Sequence, residues 1–188
     1  MKTGHIFSYI LEVILAKILV SKKKDVFPIR ALIEEKTHIF KRVFRLWLGL
    51  DIVSIAVKFL LSIYIPLKLG YTILVEEYIP ATVSDYIYLS KIIGFALKPT
   101  SLAITFPLRL MCLGGFTQVI FLNADNETLK SRWKHRESFD EREDYLNMQR
   151  TILLQMSRKL SSNRLIYINT GKQTPEETYQ LIKKYLLN

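Results

Sequence analysis

A single cysteine, Cys112, stands in the 188 residues, inside the apolar run Met111-Cys-Leu113. One thiol excludes an internal disulfide framework and makes a reducing, cytoplasmic location the expectation. No base neighbours it in the sequence, so it reads as a packed apolar side chain rather than a nucleophile. The three histidines, His5, His38 and His135, show no ligand spacing, which excludes a zinc-type motif. Glycine is scarce, and no Gly-x-x-x-x-Gly-Lys-Ser/Thr phosphate loop occurs. Gly171-Lys172 is followed by Gln173, and the position five before Gly171 is Ile166.

Acidic residues are also few, 17 against 27 Lys and Arg, for a formal charge of +10. That balance favours an anionic partner: a nucleotide, a nucleic acid or a membrane surface. The basic residues are scattered and do not interleave with aromatics in a binding motif, so no specific nucleic-acid interface is expected. Long hydrophobic runs are lacking too. Asp51, Lys58 and Lys68 interrupt residues 49–69, and Arg109 interrupts 102–122. The longest uncharged run, Leu110–Ala124, has fifteen residues, short of the ~18 a membrane span needs. No transmembrane segment is expected. The N-terminal stretch is not a signal peptide, because Glu12 and Lys17 lie inside it.

What is present is apolar material, 49% of the chain, enough for the core of one domain over residues 1–188. Phe7, Ile10, Leu11, Ile14, Leu15, Ile18 and Leu19 have helical spacing. A second helix is expected from Ala31, breaking near Gly49 and resuming from Asp51 to about Ile65, where Pro66 and Gly70 close it. Tyr71-Thr-Ile-Leu-Val-Glu76 has the β-branched content of a buried strand. Pro80 and Thr82 open another helix, to about Gly94. Residues 95–115 are cut by Pro99, Pro107 and Gly114-Gly115 into short pieces.

The last third is the most legible. Two strands, Gln118–Leu122 and Arg164–Ile168, flank two helices. The first is capped by Asp125 or Asn126 and runs to about Arg136; the second covers roughly 141–160. Thr174-Pro-Glu-Glu177 is a capping box with proline at the first helical position, launching a final helix to Leu187. Strands separated by helices predict an α/β fold with a parallel sheet. Ligands in such sheets bind beyond the carboxyl ends of the strands, which selects Glu76–Tyr78, Asn123–Asp125 and Asn169–Gln173 as one rim.

Those rim segments carry a resemblance. Leu69-Gly-Tyr-Thr-Ile-Leu-Val-Glu-Glu-Tyr78 is similar to the thymidylate kinase strand ending in Asp-Arg-Tyr or Glu-Arg-Tyr. Ile120-Phe-Leu-Asn-Ala-Asp-Asn-Glu-Thr-Leu-Lys-Ser-Arg132 resembles that family's strand, acidic cap and arginine-bearing helix. Residues from about 132 to 144 fall on its lid. Arg164-Leu-Ile-Tyr-Ile-Asn-Thr-Gly-Lys-Gln-Thr-Pro-Glu-Glu177 resembles its last strand and adenine loop. The resemblance covers roughly Ile39 to the C-terminus. It implies a three-layer P-loop kinase-like fold that lacks its first strand and phosphate loop.

The resemblance also implies chemistry: transfer of a phosphoryl group from ATP to thymidine monophosphate or a similar acceptor, with Mg2+. Glu76 would organise metal and water. Arg132 and Arg136, four apart on one helix face, would clamp phosphate, with Arg142 as an addition. Lys58, Glu77 and Tyr78 fall on the acceptor site, and Thr170, Gly171, Lys172 and Gln173 would line adenine. On the residues alone, Arg132 and Arg136 equally suit ion pairs with Glu137, Asp140 or Glu141.

Two departures matter. Without a glycine-rich loop no backbone cradle holds the phosphates, so the chain as it stands is expected not to turn over. Glu77 occupies the place of an arginine, and a carboxylate repels phosphate. A non-catalytic relative that binds nucleotide or a protein partner, as a homodimer among other forms, is the alternative reading. Its apolar N-terminal helix would need covering. A basic membrane-surface or nucleic-acid protein is a third.

Overall fold

The computed structural model describes residues 6–20, 28–76, 78–113, 118–135, 143–161 and 165–187. The chain divides into two compact units, Met1–Gly115 and Phe116–Asn188, each described on its own.

Unit 1 is helical among its described residues. Helix α1 spans Ile6–Leu19. Helix α2, Pro28–Phe59, passes into a π turn, Leu60–Tyr64, and then into α3, Ile65–Lys68. Helices α4, Tyr78–Ile92, and α5, Leu102–Leu113, follow. The break expected at Gly49 does not occur; the helix runs through it and kinks instead at Lys36, where φ is −136° and ψ 40°. A helical glycine costs about 1 kcal/mol, which the buried neighbours Trp47 and Leu48 outweigh. Pro66 accounts for the π turn. In a plain α-helix its ring would meet the carbonyl four residues back, and a wider turn relieves that clash. Gly70, at φ 87°, then ends the helix, with the Tyr71 amide donating to the Pro66 carbonyl at 3.0 Å.

The core of unit 1 is aromatic. Phe40, Phe44, Trp47 and Tyr86 are all nearly inaccessible. Phe44 stacks on Trp47 at 5.6 Å, and Tyr86 meets Trp47 edge-on at 5.7 Å. Helix α1 packs against this core with its polar side inward. Ser8 and Glu12 are buried, while Phe7, Ile10, Ile14 and Ile18 face out. The contacts run in opposite senses along the two helices, Phe7 to Ser54, Ser8 to Asp51 and Glu12 to Trp47, so α1 and α2 are antiparallel. By length and composition Ala31–Lys68 suffices to cross a membrane, and 33% of its most apolar window is buried. Asp51, which interrupts that stretch in the sequence, is fully buried and hydrogen-bonded.

Unit 2 holds the sheet. Strand β1, Val119–Asn123, pairs in parallel with β2, Leu165–Asn169, from Val119 opposite Leu165 to Asn123 opposite Asn169. Helices α6, Asn126–His135, and α7, Glu143–Ser161, lie between them in sequence. A 3-10 turn, Thr170–Lys172, leads to α8, Pro175–Leu187. Helix α7 packs on both strands, and its Tyr145 and Leu146 are buried.

The expected three-layer parallel-sheet fold is therefore corrected. Among the described residues the protein is mostly helical, 78% helix and 7% strand, with a sheet of two strands. The segment 71–76 has the composition of a strand but forms no ladder. Leu74 is 85% exposed and Tyr71 64%, and a strand is stabilised by its neighbours rather than by β-branched content alone.

Candidate functional site

The rim beyond the carboxyl ends of β1 and β2 is the most organised polar region of unit 2. Asp125 caps α6: its Oδ1 accepts from the Thr128 amide and its Oδ2 from the Thr128 hydroxyl, both at 2.8 Å. The Thr128 amide first, and its hydroxyl second, hold the Asp125 carboxyl below its ordinary range. Across the rim, the Asn169 side chain accepts from the Gly171 amide at 3.0 Å and shapes the 3-10 turn. A Cβ on Gly171 would lie 2.9 Å from Asp125 Oδ2 and 3.2 Å from Asn169 Oδ1. An added Cβ would thus push the Asp125 carboxylate from its place at the cap of α6.

Arg132 ties the two sides together. One guanidinium arm donates to Thr170 Oγ1 at 3.2 Å and the other to the Thr170 carbonyl at 2.7 Å. Thr170, 7% exposed, donates a hydrogen bond from its own hydroxyl to the Asn123 carbonyl at 3.0 Å. The arginine expected on the lid and the threonine expected on the adenine loop are in direct contact. In this arrangement Arg132 positions the loop instead of reaching outward. Lys172 is exposed, and Gln173 half-buried near Thr178.

A second brace escaped the sequence. Arg150 on α7 donates to the Ala124 carbonyl and to Asn126 Oδ1. Asn126 donates in turn to Glu143 and Asn147, each at 3.1 Å. Lys130 and Glu143 form an ion pair at 3.2 Å. Asn126 first, then Lys130, lower the Glu143 carboxyl from its ordinary value. These are pairings across 13 to 26 residues, and no local spacing announces them.

Glu76 and Lys58 belong to unit 1 and are exposed. Tyr78 opens α4. Glu77, Arg136 and Arg142 lie outside the described residues, as does most of the expected lid. Among the described residues no group of three His, Cys, Asp or Glu side chains is arranged to hold a metal ion.

Unit 1 contains a polar cluster that the sequence presents only as interruptions. Asp51 accepts from the Ser8 hydroxyl on one oxygen and from the Tyr86 hydroxyl on the other. Glu12 accepts from Trp47 Nε1 at 2.8 Å through Oε1, while its Oε2 is buried without a partner. Burial pushes the Glu12 carboxyl up from 4.5 to about 8; the Trp47 bond opposes this and the nearby Asp51 charge adds to it.

Comparison with protein-family models, with curated proteins and with solved structures finds no match to this chain.

Proposed function

We propose that this chain is a nucleotide-binding protein whose C-terminal unit corresponds to the adenine end of a nucleoside-monophosphate kinase, and that it does not transfer phosphate by itself. The observation that carries the reading is the contact between Arg132 and Thr170. It joins α6 to the loop after β2 at the carboxyl end of the parallel pair, where ligands of such strands gather. A base would lie against the flat 3-10 turn Thr170–Lys172, with Lys172 available to its phosphates. Transfer is a different demand. It needs positive charge and backbone donors around three phosphate oxygens, and a metal. The sequence contains no glycine-rich loop to supply those backbone donors.

Calorimetry with ADP–Mg2+ tests the reading. Saturable binding is expected, weakened about tenfold by Lys172→Ala through loss of one charge-assisted contact. A coupled assay with ATP, Mg2+ and thymidine monophosphate is expected to show no turnover. Absence of any ADP heat, together with unmoved amide resonances over 169–173, would overturn the assignment of this rim. Measurable turnover would instead refute the non-catalytic reading.

A further inference from the structure

A cavity of about 380 Å3 opens on unit 1, between one face of α2 and the segment joining α4 to α5. Its α2 wall comes from residues 45, 48, 49 and 52, the i, i+3, i+4, i+7 spacing of a single helix face. The floor is apolar, with Leu48, Ile52 and Leu97. Two cations stand in its lining, Arg45 and Lys98. The Arg45 guanidinium lies 5.6 Å from the Phe95 ring centroid, and Phe95 is itself braced edge-on by Phe44 at 5.1 Å. The stack fixes the direction of the guanidinium. Among the described residues neither Arg45 nor Lys98 pairs with a carboxylate. A third observation is independent of charge. Ser101, also in the lining, has its hydroxyl buried with no hydrogen-bond partner, an arrangement native proteins rarely leave unfilled.

An apolar floor, two unpaired cations and an unsatisfied hydroxyl ask for one kind of molecule. We propose that this cavity binds an anionic amphiphile: an acyl chain against Leu48, Ile52 and Leu97, with a carboxylate or phosphate head taken by Arg45 and Lys98 and a head-group oxygen reaching Ser101. The volume lies near the lower end of small-molecule cavities, roughly 300–1,000 Å3, so the chain is of medium length. A hydrophilic anion alone would leave the floor wet. An uncharged lipid would leave both cations without a counter-charge. The proposal concerns unit 1 and is independent of nucleotide binding by unit 2.

Gly49 makes the test clean. It lies in the wall, and nothing stands within 4 Å of where its Cβ would be. A side chain there occupies open cavity space without a clash, and replacing glycine inside a helix favours folding. Calorimetry on the full chain, with decyl phosphate and decanoate below their micellar concentrations, is expected to give saturable one-to-one binding. Arg45→Gln should weaken it about tenfold. Gly49→Leu should abolish it while circular dichroism stays unchanged. Decanol and inorganic phosphate, each lacking one half of the ligand, should bind at least about tenfold more weakly. Soluble decyl phosphate that binds identifies a free amphiphile as the source. Capture only by vesicles of anionic phospholipid identifies a bilayer lipid, and Gly49→Leu must then block capture as well. Equal binding of decanol, indifference to Gly49→Leu, or no binding to any of these probes overturns the proposal.

Discussion

Replacing Glu12 by glutamine and measuring stability from pH 5 to 9 tests the centre of unit 1. Glu12 is 1% exposed, one oxygen accepts from Trp47 and the other has no partner. Its carboxyl is raised from 4.5 to about 8, chiefly by burial. The folded chain therefore holds a proton that the unfolded chain releases at lower pH. Below pH 4.5 both states are protonated and the group is neutral in its effect. As pH rises towards 8 the unfolded state ionises alone, and the folded state loses stability by about 1.4 kcal/mol for each pH unit. The interval from 4.5 to about 8 bounds the loss at about 5 kcal/mol. Relaxation and water entry around the ionised carboxylate reduce the loss, and a fall of a few kcal/mol is expected. That is a large fraction of the 5–15 kcal/mol typical of a domain. Glutamine keeps the acceptor for Trp47 and does not ionise. Urea unfolding followed by Trp47 fluorescence, with Trp133→Phe in both proteins so that the signal reports unit 1, gives the two profiles. Glu12→Gln should be nearly flat over pH 5–8 and more stable than the parent at pH 8. Parallel profiles for the two proteins would refute the reasoning.

Tyr86→Phe removes a hydroxyl donor to the buried Asp51 carboxyl, and should lower stability by about 1–3 kcal/mol in thermal unfolding, since a buried acceptor loses a partner that water does not replace. Gly171→Ala should drive Asp125 off the start of α6, costing about 1 kcal/mol, the worth of an N-cap; a displaced Thr128 amide resonance is the readout. Thr170→Val removes one of the two acceptors for Arg132, the hydroxyl, and with it the donor to the Asn123 carbonyl, and faster amide exchange in β1 and β2 is expected. Glu177, lowered by the Thr174 amide and then its hydroxyl, stabilises α8 above its unfolded value near 4.5; that help disappears as pH falls below it, and Glu177→Gln should remove the acid dependence of α8 amide exchange.

Unit 2 was legible because its signals are local. A β-branched apolar run bounded by turn residues placed β1 and β2 within one residue of their positions. Thr174 and Glu177 make the reciprocal bonds their spacing predicts. Asp125, rather than Asn126, turned out to be the cap of α6. Unit 1 misled for the opposite reason. The apolar spacing of α1 marked a helix but not which face would be buried, because the partner surface contributed Asp51, Ser54 and Trp47 from more than 30 residues away. The run 71–76 read as a strand from composition, and among the described residues no neighbouring strand completes it. Of the expected site, the sequence named Arg132 for a lid and Thr170 and Gly171 for a base-binding loop, but not the contact between Arg132 and Thr170, which joins positions 38 residues apart. It missed Arg150, whose acceptors lie 24 and 26 residues back, and the cavity, whose walls come from two distant segments.

The inward-facing polar side of α1 changes which substitutions this protein tolerates. Most helices of a water-soluble protein guard their aliphatic positions and let their hydroxyls drift. Here Phe7, Ile10, Ile14 and Ile18 make the outer face, so exchanges among valine, leucine and isoleucine there should pass unnoticed. Loss of one oxygen from Ser8, or of one methylene from Glu12, alters the contact that docks the helix. Substitution tables that score Ser→Ala as mild and Ile→Ser as severe would rank the variants of this segment in reverse order.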